Sequence, residues 1–439
     1  MTPQPPRGVS VRLVLPDANF APTAKPSGET ALTLEVGADM AVALQDRSAE
    51  RIDASAVLGQ ASEVAAFALL VECRRVLSPG ARLACGPVPP ALPLDRFAGL
   101  AGLVRCEARG DAPLGPEFAK PQRQVSGDPM VSLVIPAFSP RFFAASLASA
   151  VAQTYEPLEI VVCDDSSGDE IASIVKQAAR ERPVRYLRNP HRLHTRGNLA
   201  RGLDEARGEF IKYLNDDDQL VPDCVAQLIA AFRSAPDIVL ATSWRRRIDE
   251  HARPLPDQLA TMPIAPADVM VGGASLANAM LLAGLNVVGE PSTVLFRRAD
   301  FEGGGQDSFA FDGVAARGAL DFAMWASLLL RGDAVWYRRH LSDFRIHPGQ
   351  SQQDVSKRPR AVDGIRSLQR AWLGLGLPQY LRPSEVLLQP FPPGANIGWQ
   401  WARVPALARI AQSPWGDPPS GRWRYGATPR TVPPGGAGH

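Results

Sequence analysis

Phe210-Ile211-Lys212-Tyr213-Leu214-Asn215-Asp216-Asp217-Asp218-Gln219-Leu220-Val221-Pro222-Asp223 is the stretch from which the fold of this chain is read. Its first five residues form an apolar run of strand length. Three consecutive carboxylates follow, and Val221-Pro222-Asp223 is a helix start. Strand, acidic turn and helix in succession place the turn at the carboxyl edge of an α/β sheet, where such folds bind ligands. Three carboxylates so close repel one another by roughly 1 kcal/mol per pair even in water. A hard divalent cation removes that cost, and Mg²⁺ or Mn²⁺ takes one or two carboxylates together with substrate phosphates. Alone, the same residues equally suit a solvated turn with helix-capping aspartates.

The neighbouring sequence alternates regularly. Residues 131–135 are a β-branched run of strand length stopped by Pro136, and 142–153 carry apolar residues at helical spacing. Residues 158–163 make a second strand ending in Asp164-Asp165-Ser166-Ser167-Gly168. Then come a helix at 171–180, a strand at 184–187 and a helix at 197–206; the strand into Asp216 is the fourth, and 237–242 the fifth. Strands and helices alternating through short connections predict a mostly parallel sheet with helices on both faces. Two acidic clusters then stand at strand ends, Asp164-Asp165 and Asp216-Asp217-Asp218. Two in one α/β unit suggest a nucleotide site.

Three pieces carry a resemblance: VSLVIPAFSPRFFAASLASAVAQTYEPLEIVVCDDSSGD (131–169), RNPHRLHTRGNLARGLDEARGEFIKYLNDDD (188–218) and Val221-Pro222-Asp223. In order and spacing this stretch of some ninety residues resembles a family 2 glycosyltransferase of the GT-A fold. The resemblance implies transfer of a sugar from a nucleotide-diphosphate donor, with inversion and with Mn²⁺ or Mg²⁺. By the same resemblance Pro136, Ala137 and Phe138 form the turn against which the base packs. Asp165 hydrogen-bonds the base, typically uracil, and Arg196 and Asn198 contact the nucleotide or its phosphates. Asn215, Asp216 and Asp217 occupy the D-x-D frame, with Asp217 the metal ligand, Asp216 beside it on ribose or metal, and Asp218 a helix N-terminal acid. Ser139 stands where the family usually has Asn, and Asn215 where the first Asp often lies. His191 and His194 are expected as solvated loop histidines.

Downstream, residues 244–270 read as an irregular, Pro-rich loop flanking an acceptor groove. Residues 289–298 match the family's small-residue turn leading into a strand, and 303–305 form a Gly triplet suited to a moving loop. Phe322, Trp325, Leu328 and Leu329 share one helical face, with Asp321 at the helix start. An acid here followed by Trp is the family's general base, and inversion requires one to take the acceptor hydroxyl proton. Residues 333–346 read as a strand pair. They lead into Arg345-Ile346-His347, where the resemblance implies a loop closing on the diphosphate. His347 is then a phosphate or metal contact, and Arg345 a residue that holds the loop.

The chain has 439 residues, enough for two domains, and a net charge of +2, which asks for no nucleic-acid partner. Five scattered cysteines without metal-ligand spacing suit a reducing, cytoplasmic setting. No run long enough for an integral membrane segment and no secretory signal are read. Residues 44–86 resemble the second half of class I S-adenosylmethionine-dependent methyltransferases, through Glu72-Cys73-Arg74-Arg75-Val76-Leu77-Ser78-Pro79-Gly80. A helix at 62–77 should stop at Ser78-Pro79-Gly80 and a strand should follow at 81–85. The glycine-rich turn that cradles that family's cofactor has no counterpart upstream.

The expected organisation is a degenerate, partial Rossmann-like module at 1–125, useful for packing or self-association, with a linker over 110–128. A GT-A-like α/β domain occupies 128–360. Residues 361–439 give a C-terminal helix with Trp372 on its apolar side, then a Pro-, Gly- and Trp-rich, partly disordered tail. The expected partners are a nucleotide-diphospho-sugar donor, UDP-sugar foremost, and a glycan, lipid-linked or protein acceptor in polysaccharide biosynthesis. The competing expectations are a non-catalytic nucleotide-sugar-binding or scaffolding protein, and a bifunctional enzyme that still methylates.

Overall fold

The computed structural model describes residues 9–14, 30–35, 49–107, 115–123, 125, 127–235, 237–302, 307–350, 353–376, 381–382, 384–393 and 399–407. These fall into two compact units, one within Met1–Gln122 together with Leu375–Leu381, the other within Arg123–Gly374 and Arg382–Pro418. No helix among the described residues is long and apolar enough to cross a membrane.

The first unit contains β1 (Val9–Val14), β2 (Thr30–Glu35), β3 (Ala49–Asp53), α1 (Ser55–Leu58), α2 (Glu63–Val76), β4 (Leu77–Ala84), α3 (Leu94–Leu100), β5 (Val104–Arg105) and β6 (Glu117–Ala119). Strand order is β2-β1-β3-β4-β6-β5, with the first four strands parallel and the last two antiparallel. Ser62 caps α2 by accepting a hydrogen bond from Ala65 N at 3.3 Å. The helix does end where Ser78-Pro79-Gly80 begins, but the strand starts at once at Leu77 and carries that tripeptide as an irregularity between Ala49↔Leu77 and Arg51↔Arg82. Gly80 adopts φ +81°, which lets the strand resume. The expected linker is partly structured. Glu117–Ala119 pairs with β4, and Glu117 bonds Arg51 at 2.6 Å and Arg82 at 3.1 Å.

The second unit opens with β7 (Val131–Ala137), α4 (Pro140–Val151), β8 (Leu158–Asp164), α5 (Glu170–Ala178), β9 (Val184–Arg188), α6 (His194–Glu205) and β10 (Phe210–Tyr213). Strands β10, β7, β8 and β9 are parallel neighbours, so the carboxyl ends of β7, β8 and β10 meet on one edge. Leu133, Ile135, Phe143, Leu147, Val162 and Phe210 are fully buried in the core beneath, each worth about 1.5–3 kcal/mol. Gly202 lets α6 approach β7 closely, because a Cβ there would lie 2.3 Å from Val134 Cγ1.

Then come β11 (Gln219–Leu220), α7 (Cys224–Ser234), β12 (Ile238–Ile248), β13 (Pro254–Leu255), β14 (Val269–Val271), α8 (Gly273–Ala283), a 3-10 turn at Pro291–Thr293 and β15 (Leu295–Arg297). They are followed by α9 (Arg298–Glu302), α10 (Leu320–Arg331), β16 (Asp333–Arg345), α11 (Arg358–Gly374), β17 (Glu385–Pro390) and β18 (Gln400–Arg403). The sheet runs β18-β17-β14-β16-β12-β15-β10-β7-β8-β9. It is mixed, which corrects the expectation of a mostly parallel sheet. β15 is antiparallel to both β10 and β12, and β14, β17 and β18 also pair antiparallel. Sequence periodicity reports that a strand exists; its direction is set by the end from which the preceding connection enters.

Three expectations downstream are corrected. The fifth strand does not stop at Thr242 but continues through Trp244-Arg245-Arg246-Arg247 to Ile248, its charges hiding a strand that is buried on one side. The expected strand pair at 333–346 is one strand, which shifts register against β12 at Ser243/Trp244. β17 and β18 extend the main sheet, so part of the C-terminal region is built into this unit. Trp372 is buried on α11 and donates from Nε1 to Asn278 Oδ1 at 2.9 Å. The Gly triplet at 303–305 and the tail beyond 407 lie outside the described residues.

Candidate functional site

Three strand ends and one helix start supply the site. At the end of β10 the backbone turns through Asn215, and the three acids diverge because each meets different partners. Asp216 Oδ2 accepts from Phe138 N and Ser139 N, both at 2.7 Å. It thereby locks the Pro136-Ala137-Phe138 turn at the end of β7 to the acidic turn. Asp218 is fully buried and accepts from Ser292 Oγ at 2.6 Å, Asn215 Nδ2 at 3.0 Å and Arg345 N at 3.0 Å. It is an internal anchor. The expectation of a helix N-terminal acid is corrected, since β11 intervenes and Asp223 is the residue that precedes α7. Asn215 stands in the first position of the motif because its amide serves Asp218.

Asp217 is left partly exposed. Its Oδ2 lies 3.2 Å from His347 Nε2, while its backbone carbonyl accepts from Arg345 Nε at 2.8 Å. Arg345 also donates to Asp249 O at 3.0 Å and Gln219 Oε1 at 3.2 Å, so it holds the loop. Phe142 packs 4.8 Å from the His347 ring with Arg345 stacked at 4.7 Å. Burial, reinforced by the charge of Asp216, pushes the Asp217 carboxyl up to about 7. Burial also raises Asp216 and, more strongly, Asp218. Burial and the nearby Arg141 hold His347 below its usual range.

These residues fit a hard divalent cation. The Asp217 carboxylate faces the His347 imidazole at 3.2 Å, the spacing of two ligands on one ion, with Asp216 adjacent. Among the described residues no group of three His, Cys, Asp or Glu forms a closed metal cage. An open set suits Mg²⁺ or Mn²⁺, which complete their shells with phosphates and water.

Asp165, at the end of β8, gathers the loop before α6. Its Oδ1 accepts from Asn189 Nδ2 at 2.9 Å and Leu193 N at 2.7 Å, and its Oδ2 from His194 N at 2.9 Å. His194 has φ +60°, a conformation costly for a non-glycine residue, and the Asp165 bond helps hold it. The loop lays Arg192 over the exposed ring of Phe138 at 4.3 Å. A carboxylate has roughly four lone-pair sites, so Asp165 has one remaining beside the turn of Pro136, Ala137 and Phe138. His191 and His194 are exposed.

Asn198 is 3% exposed, and both amide hydrogens go to backbone carbonyls, Cys163 O at 3.0 Å and Ala137 O at 3.3 Å. It stitches the ends of β7 and β8 from below. Arg196 is exposed on α6 and paired with Asp307.

Asp321 sits in the first turn of α10, one residue inside the helix. Its Oδ2 accepts from Asn286 Nδ2 at 2.6 Å and its Oδ1 from Phe322 N at 3.0 Å. Burial, with the charge of Glu290 adding, pushes its carboxyl up to about 6, against those two bonds.

The segment 286–293 joins the two halves. Asn286 holds Asp321, Gly289 O accepts from Trp325 Nε1 at 2.7 Å, and Ser292 bonds Asp218 and Asn215 N. Lys212, buried in the middle of β10 with its ammonium lowered to about 8 by burial, donates to Ser292 O and Tyr213 O. Gly289 has φ +123°, and a Cβ there would meet Thr293 at 2.9 Å. Asn286, Glu290 and Ser292 were missed as site residues. The available signal was a lone acid inside a small-residue turn.

Known proteins resemble this chain over parts of its length. Residues 132–302 match the family model described as Glycosyl transferase family 2. A GalNAc(5)-diNAcBac-PP-undecaprenol beta-1,3-glucosyltransferase of Campylobacter jejuni is 32% identical over 104 residues, 23% of this chain and 34% of that protein. This chain therefore matches about a third of that relative's length. An uncharacterized protein of Mycobacterium tuberculosis is 30% identical over 264 residues, 56% of this chain and 76% of that protein. Among solved structures, S. aureus TarS 1-349 superposes with a TM-score of 0.39 at 12% identity, covering 62% of this chain and 98% of that one.

Proposed function

We propose, from the match of residues 132–302 to glycosyl transferase family 2, that the second unit transfers a glycosyl group, with inversion, from a nucleotide-diphosphate sugar to a hydroxyl acceptor. The donor proposed is a UDP-sugar and the acceptor a glycan, lipid-linked for preference. The names of relatives support this setting: the Campylobacter protein is a glucosyltransferase named for an undecaprenol-linked substrate. One observation carries the reading. A single turn, 286–293, holds the base candidate Asp321 through Asn286 and the acidic turn of Asp217 through Ser292.

In this reading the nucleobase packs on the exposed ring of Phe138, beneath Arg192, and the remaining lone pair of Asp165 accepts a base N–H. Pro136 and Ala137 shape that turn, Arg196 lies at its mouth, and Asn198 keeps the strand ends in register. Asp217, with Asp216 and His347 beside it, would hold Mn²⁺ or Mg²⁺, which would supply Lewis-acid stabilisation of the diphosphate leaving group. Asp321 takes the proton of the acceptor hydroxyl as its oxygen bonds the anomeric carbon and the bond to diphosphate breaks on the opposite face. Its raised carboxyl makes it a stronger base than an ordinary aspartate while leaving it ionised at neutral pH. Five unpaired cysteines support a reducing, cytoplasmic compartment.

For the first unit we infer a partial Rossmann-like module, supported by the parallel order β2-β1-β3-β4, which reverses direction at β1/β3 as doubly wound sheets do. The glycosyl-transfer reading is tested by a thermal-shift and hydrolysis screen of nucleotide sugars. The expected result is Mn²⁺-dependent stabilisation and slow hydrolysis of one UDP-sugar. A screen in which no nucleotide sugar binds contradicts it.

A further inference from the structure

Glu290 is 8% exposed, on the turn between the two catalytic candidates. Its Oε2 lies 2.5 Å from Arg245 Nε. Arg245, 2% exposed on β12, also donates to Asn286 O at 3.2 Å. Among the described residues this buried Oε2, like Arg245 Nε, completes no hydrogen bond, although the two stand at ion-pair distance. The charge of Glu290 reaches Asp217, Asp218 and Asp321 alike. Four residues before it Asn286 bonds Asp321, and two after it Ser292 bonds Asp218. Glu290 thus stands between the diphosphate side and the base side of the site. An in-line displacement needs the sugar ring there, with leaving group and incoming oxygen on opposite faces of its anomeric carbon.

We propose that Glu290 recognises the donor by accepting a hydrogen bond from a hydroxyl of its sugar ring, with Arg245 fixing the carboxylate's orientation. This rests on the glycosyl-transfer reading above. A carboxylate oxygen with no donor in a confined site calls for one from a ligand, and sugar hydroxyls are O–H donors at short range. Gly289, which a side chain would disrupt, and Pro291 hold the backbone on either side, so the carboxylate is presented by a rigid turn. A site built around such a pair rejects a sugar whose hydroxyl points elsewhere, because the carboxylate is then left unpaired.

Glu290→Gln tests this, since it keeps volume and still offers Arg245 an amide oxygen. The probes are UDP, UDP-glucose, UDP-galactose and UDP-N-acetylglucosamine with Mn²⁺, read by calorimetry and by hydrolysis. The expected result is a rise in KM of about tenfold or more for the sugar that wild type prefers. Discrimination between that sugar and its epimer should fall at least about fivefold, with UDP affinity kept within about twofold. Unchanged discrimination, or UDP affinity falling in parallel, overturns the proposal and assigns the pair to structure alone. Should Glu290→Gln not fold, Glu290→Asp, which keeps the charge but withdraws it by one methylene, carries the same test with the same outcomes. Wild type that binds UDP without discriminating among the sugars overturns this proposal and leaves the functional reading standing. Wild type that binds none of the probes overturns both.

Discussion

Asp217 and Asp321 bind a proton more tightly in the folded chain than in the unfolded one, where an aspartate titrates near ~3.9. Burial is the larger cause for both, placing them at about 7 and about 6. Their contribution to stability is therefore full below the unfolded value and is lost as pH rises through about 6 and then about 7. Metal-free protein should melt at a higher temperature at about pH 5 than at about pH 7.5, and Asp217→Asn should shrink that difference. A wild-type melting temperature that climbs over this interval contradicts the arrangement. Catalysis runs the other way, because the base works only ionised: the rate should rise through about pH 6 and level off above it. Asp165, Asp216, Asp217 and Asp321 were legible in the sequence as candidates because each follows a strand or opens a helix. The bonds by which Asn198 joins β7 and β8 were not legible, since an amide turned inward is invisible until the two strands are side by side. Glu290 lies 45 positions from Arg245 and could be understood only once the two were paired in space.

At the scale of elements, the turn of 286–293 is the part on which both halves of the site depend. Ser292→Ala removes a donor from buried Asp218 and an acceptor from Asn215 N. It should cost about 1–3 kcal/mol of stability. It should also weaken metal-dependent donor binding, although Ser292 touches neither metal nor donor in this account. Chemical denaturation beside donor titration checks both, and a variant as stable and as tight-binding as wild type removes the turn from the account. The strands of the parallel half were legible because β-branched runs end at Pro, Gly or Asp. β12 was not legible in full: Arg245, Arg246 and Arg247 read as loop, yet Arg246 pairs with Asp343 of β16 and Arg245 with Glu290, so their charges are met by neighbours in the fold. β15, β17 and β18 are short or Pro-flanked, and their antiparallel direction comes from connections whose path no local pattern encodes.

At the scale of the whole molecule, the two units are assigned unequal roles. The first has four parallel strands in the order β2-β1-β3-β4, and its sequence lacks a glycine-rich turn for a dinucleotide-like cofactor. Titration of S-adenosylmethionine into the full chain should give no binding heat, and a saturable heat would restore a methylating first unit. The second unit carries the proposed chemistry, and the division of labour between its metal end and its base end is the central claim. The most direct test compares Asp217→Ala and Asp321→Ala with wild type in Mn²⁺-dependent binding and transfer of a UDP-sugar. Asp217→Ala should lose donor binding. Asp321→Ala should bind the donor within about twofold of wild type while transfer falls by about 10²–10⁴-fold. Two variants that bind and turn over like wild type would contradict the account.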